Sequence, residues 1–220
     1  MFKAIRLIRE KQVMKTKYIF LLIISVIFGA SLGYFGLSLP KQGYTFTGSL
    51  IEPPIEAKDF SLLDQHGQPF TLSEQRGKVV LLFFGYTNCP DVCPATLVKY
   101  RRITTLLGDQ ASQVRFVMIT ADPERDTAAQ LKTYLGGFNP DFIGLRGPEE
   151  ILRVVYGSYY VAVEKEKKEA DDQTPGYLVA HTSRVFLIDP EGNLHLTYPA
   201  EIGPEAMAQD IVYLLKISSK

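Results

Sequence analysis

From Tyr18 to Leu39 the chain reads YIFLLIISVIFGASLGYFGLSL, 22 positions without a charged residue. At 1.5 Å per helical residue this length covers the ~30 Å hydrocarbon core of a bilayer. One membrane-spanning helix is expected there, and whatever follows must fold on one side of it. Lys3, Arg6, Arg9, Lys11, Lys15 and Lys17 precede the run. The excess of positive charge on cytoplasmic flanks keeps residues 1–17 in the cytoplasm and sends the rest across. The competing reading is a signal peptide cleaved after Ser31, but the apolar stretch exceeds the ~7–15 residues usual for one. The expected organisation is a basic N-terminus at 1–17, an anchor at 18–39, a tether at 40–54 and a folded domain at 55–220. The implied location is a bacterial inner (plasma) membrane with the domain on the periplasmic side.

The formal charge of zero hides an asymmetry. Residues 1–17 hold six Lys/Arg against one Glu, so the remainder carries a net charge of −5. An acidic body argues against nucleic-acid binding. The length suffices for one well-packed domain beyond the anchor. The two cysteines, Cys89 and Cys93, stand close together in GYTNCPDVCPATL. Outside the cytoplasm such a pair tends to oxidise, yet a bridge closing so short a loop adds little stability. A redox couple or two legs of a metal site are better readings.

Pattern along the chain predicts an α/β architecture. FSLLDQHGQPFTL has two apolar runs around a Gly-containing turn, a hairpin signal. Residues 78–84 form a buried strand, and a helix follows from Pro94 to Leu107, with Leu97, Tyr100, Ile103 and Leu107 along one side and Gly108 as its stop. A second strand at Val114–Thr120 leads to a helix opened by a capping box of Thr127 and Gln130. A short strand near Phe142–Leu145 precedes a helix carrying Ile151, Leu152, Val155 and Tyr156. A charged segment, Glu164–Asp172, reads as an excursion. SRVFLID and LHLTY flank the turn PEGN, and Pro204 opens a final amphipathic helix. Alternating strands and helices place helices on both faces of the sheet. This order looks like a thioredoxin-type fold with an N-terminal hairpin, whose cysteines lie where a central strand turns into its helix, at the carboxyl end of the sheet where ligands collect.

A helix beginning at Pro94 would put Cys93 at its N-cap, where the dipole favours a thiolate and lowers the thiol pKa. Cys89 is near enough to join it in a disulfide or around one ion. Two thiolates form a soft, low-coordinate site suited to Cu(I), whereas Cu(II) needs nitrogen or oxygen donors as well. Of the three histidines, His66 sits in the turn DQHGQ and reads as solvated. His195 alternates with Leu194 and Leu196 and reads as an outward-facing strand residue. His181, just before a strand expected in the sheet centre, stands at the same end as the cysteines and is the candidate third donor.

Three motifs in order, FGYTNCPDVCP, TADPERDT and YLVAHTSRVFLIDPEG, resemble the Sco/SenC family of membrane-anchored, thioredoxin-like copper-binding proteins, over about Ile55 to Lys216. The resemblance implies a copper site of Cys89, Cys93 and His181, and a role in assembling the dinuclear copper centre of cytochrome c oxidase. The implied partners are a copper-accepting oxidase subunit and an upstream envelope thiol reductase. Asp91, between the cysteines, is either a hydrogen-bond acceptor beside the site or a solvated helix-start acid. Asp122, Arg125 and Asp126 either buttress the site or cap a surface loop. Tyr86 and Tyr177 either shield copper or pack. A copper metallochaperone is the first reading of function. The alternative, a thiol–disulfide oxidoreductase, needs only Cys89 and Cys93.

Overall fold

The computed structural model describes residues 17, 20–31, 43–166 and 177–218. The basic N-terminus before Lys17, both ends of the expected anchor and the charged excursion beyond Glu166 lie outside the described residues. Residues 1–44 and 45–220 are separate units. In the first, residues 20–31 are helical and exposed. Among the described residues, no helix is long and apolar enough to cross a membrane.

The second unit is built on an eight-stranded sheet. Its strands are β1 (Ser49–Glu56), β2 (Ser61–Asp64), β3 (Pro69–Thr71), β4 (Val79–Gly85), β5 (Val114–Thr120), β6 (Ile143–Arg146), β9 (Val185–Ile188) and β10 (Asn193–Tyr198). They lie side by side in the order β1-β10-β9-β4-β5-β6-β2-β3, while β7 (Val163–Glu166) and β8 (Leu178–His181) form a ribbon of their own. The helices are α1 (Val92–Leu107), α2 (Ala128–Gly136), α3 (Glu149–Ser158) and α4 (Pro204–Ser218).

The apolar run VVLLFF explains the layering. All of β4 is buried, and side chains alternate across a strand. Val79, Leu81 and Phe83 enter one core with Leu97, Tyr100 and Ile103 of α1, Leu131 of α2 and Ile211 of α4. Val80, Leu82 and Phe84 enter the other, with Leu152, Val155 and Tyr156 of α3. Each large side chain so buried stabilises the fold by about 1.5–3 kcal/mol relative to exposure. The hairpin β2–β3, the capping box at Thr127 and Gln130 and the helix stop at Gly108 (φ 55°) all match expectation. The arrangement is thioredoxin-like α/β.

Several expectations need correction. The stretch read as a tether through Pro54 becomes strand from Ser49, pairing antiparallel with β10. Its two prolines argue against a strand, but β1 lies at the sheet edge, and its register shifts between Leu50 and Ile55, where missing N–H donors are tolerated. The first residues of the excursion, Glu164–Glu166, pair with β8 instead of looping free. Helix α1 starts at Val92 with Asp91 as its N-cap. Cys93 is thus its second residue and Pro94 its third, where an amide has no intrahelical partner to lose.

Candidate metal centre

Strand register brings three segments to one end of the sheet. β4 and β5 run parallel and in step from Val79↔Val114 to Gly85↔Thr120, so they finish level. The cysteine turn leaves the first and the loop Ala121–Thr127 leaves the second, joined by Ala121 N–H to the Gly85 carbonyl at 2.7 Å. β9 runs antiparallel to β4 with Val185 opposite Phe83. It therefore begins where β4 ends, and His181, four residues earlier, arrives beside the cysteines.

Cys89, Cys93 and His181 are the one such group of donors among the described residues, with ligand atoms within 4.8 Å of one another. His181 Nε2 is 3.4 Å from Cys93 Sγ, and Nδ1 is 3.4 Å from the Thr182 carbonyl. Nε2 is the ring nitrogen that faces the sulfurs: with the proton on Nδ1 its lone pair is free for a metal ion, and with the proton on Nε2 it donates to a thiolate. Donors in a trigonal plane about 2.2 Å from one ion lie about 3.8 Å apart, a spacing of the same order as the one between these three side chains. Both cysteines are free thiols and buried. The Tyr86 ring meets the imidazole edge-on at 5.8 Å.

The pair shares protons unequally. The Cys93 S–H donates to the Cys89 sulfur and, against the opposing effect of burial, holds the Cys89 thiol down at about 3; His181 and the amides of Asp91 and Cys93 add to this. Cys93 is pushed up, first by that same hydrogen bond and then by burial. The expectation that Cys93 would carry the lowered pKa is therefore corrected. Cys93 is 1% exposed against 9% for Cys89, so burial adds to the hydrogen bond in keeping the proton on the deeper sulfur.

The remaining candidates separate clearly. Asp91 has an exposed side chain that makes no capping bond, and it serves the site through its amide on Cys89. Asp126 is wholly buried. It accepts hydrogen bonds from the Thr87 hydroxyl and the Thr120 hydroxyl, each at 2.6 Å, and from the Thr87 amide at 3.2 Å. These bonds tie the cysteine turn to the end of β5; burial raises the Asp126 pKa although the threonine hydrogen bonds oppose it. Asp122 is also buried and binds Tyr177 and Arg125. Tyr86 is buried, and its hydroxyl accepts from the Val179 amide at 3.2 Å. His66 is exposed in its turn, as expected. His195 is not outward-facing: it pairs with Asp189 at 3.1 Å and packs on Phe46 at 5.2 Å, because residues ahead of β1 cover that face.

Sequence reasoning missed Gly85. A Cβ there would stand 2.7 Å from Cys93 Sγ and 2.7 Å from the Phe83 ring. Gly85→Ala is expected to displace Cys93 and cost about 1–3 kcal/mol by overpacking. Urea unfolding and thiol accessibility in native buffer check both effects. The signal was available, as a glycine within a buried strand commonly marks a close approach.

Comparison with known proteins decides the family. The SCO1/SenC family model matches residues 49–216. The chain belongs to the SCO1/SenC family. An SCO2-like protein of Rickettsia conorii is 33% identical over 192 residues, covering 86% of this chain and 93% of its own length. The structure of Bradyrhizobium japonicum ScoI with copper bound is 36% identical at a TM-score of 0.65, covering 73% of this chain and 99% of that one. Apo Sco1 of Thermus thermophilus is 35% identical at a TM-score of 0.66, covering 80% and 99%. Within this SCO1/SenC chain, the cysteine turn, the Ala121–Thr127 loop and the β8 end all fall inside the matched span.

Proposed function

We propose that this SCO1/SenC protein carries copper on Cys89, Cys93 and His181 and delivers it to the dinuclear copper centre of a cytochrome c oxidase. The observation that carries the reading is the convergence of two sulfurs and one imidazole on a single small volume. Two thiolates suit Cu(I), and the nitrogen donor extends the site to Cu(II). Three donors leave the coordination sphere open, so an acceptor's ligands can enter before these leave. The charge-free run Tyr18–Leu39 supports a membrane anchor, and the basic flank before it supports a periplasmic domain. A disulfide between Cys89 and Cys93 holds no thiolate, so a dithiol reductase must supply two electrons and two protons before loading.

The test compares wild type with Cys89→Ser and Cys93→Ser in anaerobic copper titrations of the reduced full-length protein, and in cells lacking the wild-type chain. Either substitution is expected to abolish stoichiometric binding and to leave oxidase activity low. Retained stoichiometric binding in both variants refutes the site.

One observation favours a second reading. Two free thiols stand side by side, Cys89 held well below its ordinary range by the Cys93 S–H, which is the arrangement of an attacking thiolate with its resolving partner. Thiol–disulfide exchange with oxidase or envelope cysteines uses the sulfurs alone, so it survives loss of His181.

A further inference from the structure

Cys89 and Cys93 are fixed by one short turn, but His181 arrives on the β7–β8 ribbon, which shares no strand pairing with the main sheet. The short link to β9 brings it to the sulfurs, and contacts made by the ribbon hold it over them. Alternation along an extended chain puts Tyr177, Val179 and His181 on one side. Tyr177, just before β8, donates its hydroxyl to Asp122 Oδ1 at 2.7 Å, and the same hydroxyl lies 3.1 Å from Glu124 Oε2. The Arg125 guanidinium lies 3.8 Å from the Tyr177 ring centroid, and its Nε pairs with Asp122 Oδ2. Val179 N–H reaches the Tyr86 hydroxyl. On β7, Lys165 Nζ pairs with Glu124 at 2.6 Å.

These contacts differ in weight. Lys165 and Glu124 are 44% and 57% exposed, and exposed pairs contribute little. Asp122 is 0% exposed, so its carboxylate depends on the partners that solvate it, and a phenol on a buried carboxylate makes a strong charge-assisted bond. Tyr177 also covers Arg125 with its ring.

We propose that Tyr177, seated on Asp122 and Arg125, is a positioning residue that holds His181 over the two sulfurs and sets how fully the imidazole takes part in copper binding. The inference rests on the copper-site reading above. It assigns the loop after β5 a task at the site without contact with the metal: ordering the third donor before the ion arrives, which lowers the cost of binding.

Tyr177→Phe keeps the ring on Arg125 and removes only the hydroxyl. In the reduced full-length protein, Cu(II) affinity is expected to fall about 10-fold, the size that goes with one charge-assisted hydrogen bond. Cu(I) affinity changes little, because two thiolates suffice for the softer ion. In the metal-free protein the amides of Val179 and His181 exchange faster. Made in a His181→Ala background, Tyr177→Phe no longer lowers Cu(II) affinity, since coupled residues are not additive. Unchanged Cu(II) affinity or unchanged amide exchange in Tyr177→Phe overturns the proposal. So does a full loss that persists without His181, which would place the effect on the sulfurs or the fold. If His181→Ala alone leaves Cu(II) binding intact, the three-donor reading fails first and the proposal falls with it.

Discussion

Replacing His181 by alanine is expected to weaken Cu(II) binding by more than about 100-fold, since even residues that only support a metal ligand are worth about 10–100-fold. The dithiol stays in place, because neither cysteine depends on His181 for its backbone position: Cys93 is on α1 and Cys89 N–H bonds to the Tyr86 carbonyl. Cu(I) binding is therefore weakened less than Cu(II) binding, and thiol–disulfide exchange proceeds. Nitrogen hyperfine structure in the Cu(II) spectrum disappears with the imidazole. A variant that keeps Cu(II) affinity and spectrum shows that the ring is not a ligand. A variant that loses Cu(II) binding yet still supports oxidase assembly favours the oxidoreductase reading instead.

The reduced, metal-free protein is expected to alkylate at Cys89 at a rate nearly independent of pH from 8 down to about 5. An ordinary thiol slows about tenfold per unit over that range as its thiolate disappears. Cys93 stays unreactive throughout, because it keeps its proton and is buried. Iodoacetamide labelling followed by peptide mass mapping reads both sites separately. A Cys89 rate that falls tenfold per unit below pH 8 contradicts the proton sharing described above. Stability follows the same asymmetry. The folded Cys89 thiol is held below the ordinary value of 9.0, at about 3. Its contribution is thus complete above 9.0 and is lost progressively as pH falls towards 3. Cys93 acts in the opposite sense, since its folded pKa lies above 9.0, and raising pH beyond that value destabilises the fold. For the pair, stability rises with pH up to about 9 and declines beyond it.

Much of this site was legible in the chain because its strongest elements are local. Seven buried residues in β4, a dithiol directly after them and the capped start of α2 each declare themselves within a few positions. His181 was legible because β9 is apolar throughout, which fixes the end at which its approach must lie. Other features depend on contacts distant in sequence. Tyr177 and Asp122 are 55 residues apart, and their bond leaves no trace in either local pattern. The strand β7 reads VEKE, with Glu164, Lys165 and Glu166 all exposed, too polar to announce pairing. Proline in β1 masked an edge strand for the reason given above. The helix start moved by two residues because Val92 enters α1 ahead of the proline, and the lowered thiol moved to Cys89 because the sulfur–sulfur hydrogen bond is a contact no local pattern shows.

The Asp210 carboxylate on α4 accepts the amides of Thr47 and Gly48, at 3.1 Å for each to Oδ2, together with the Tyr198 hydroxyl. The earliest-made part of the domain is thereby fastened by one of the latest, just as β1 waits for β10. Closing so long a loop is slow and gains its reward only at the end. As the polypeptide emerges during synthesis, β1 must stay unpaired until β10 has appeared, and Thr47 and Gly48 must wait longer, for Asp210 of the C-terminal helix. A nascent chain halted before Asn193 would leave β1 open to proteases, whereas one halted between Tyr198 and Asp210 would leave only the residues ahead of β1 unfastened.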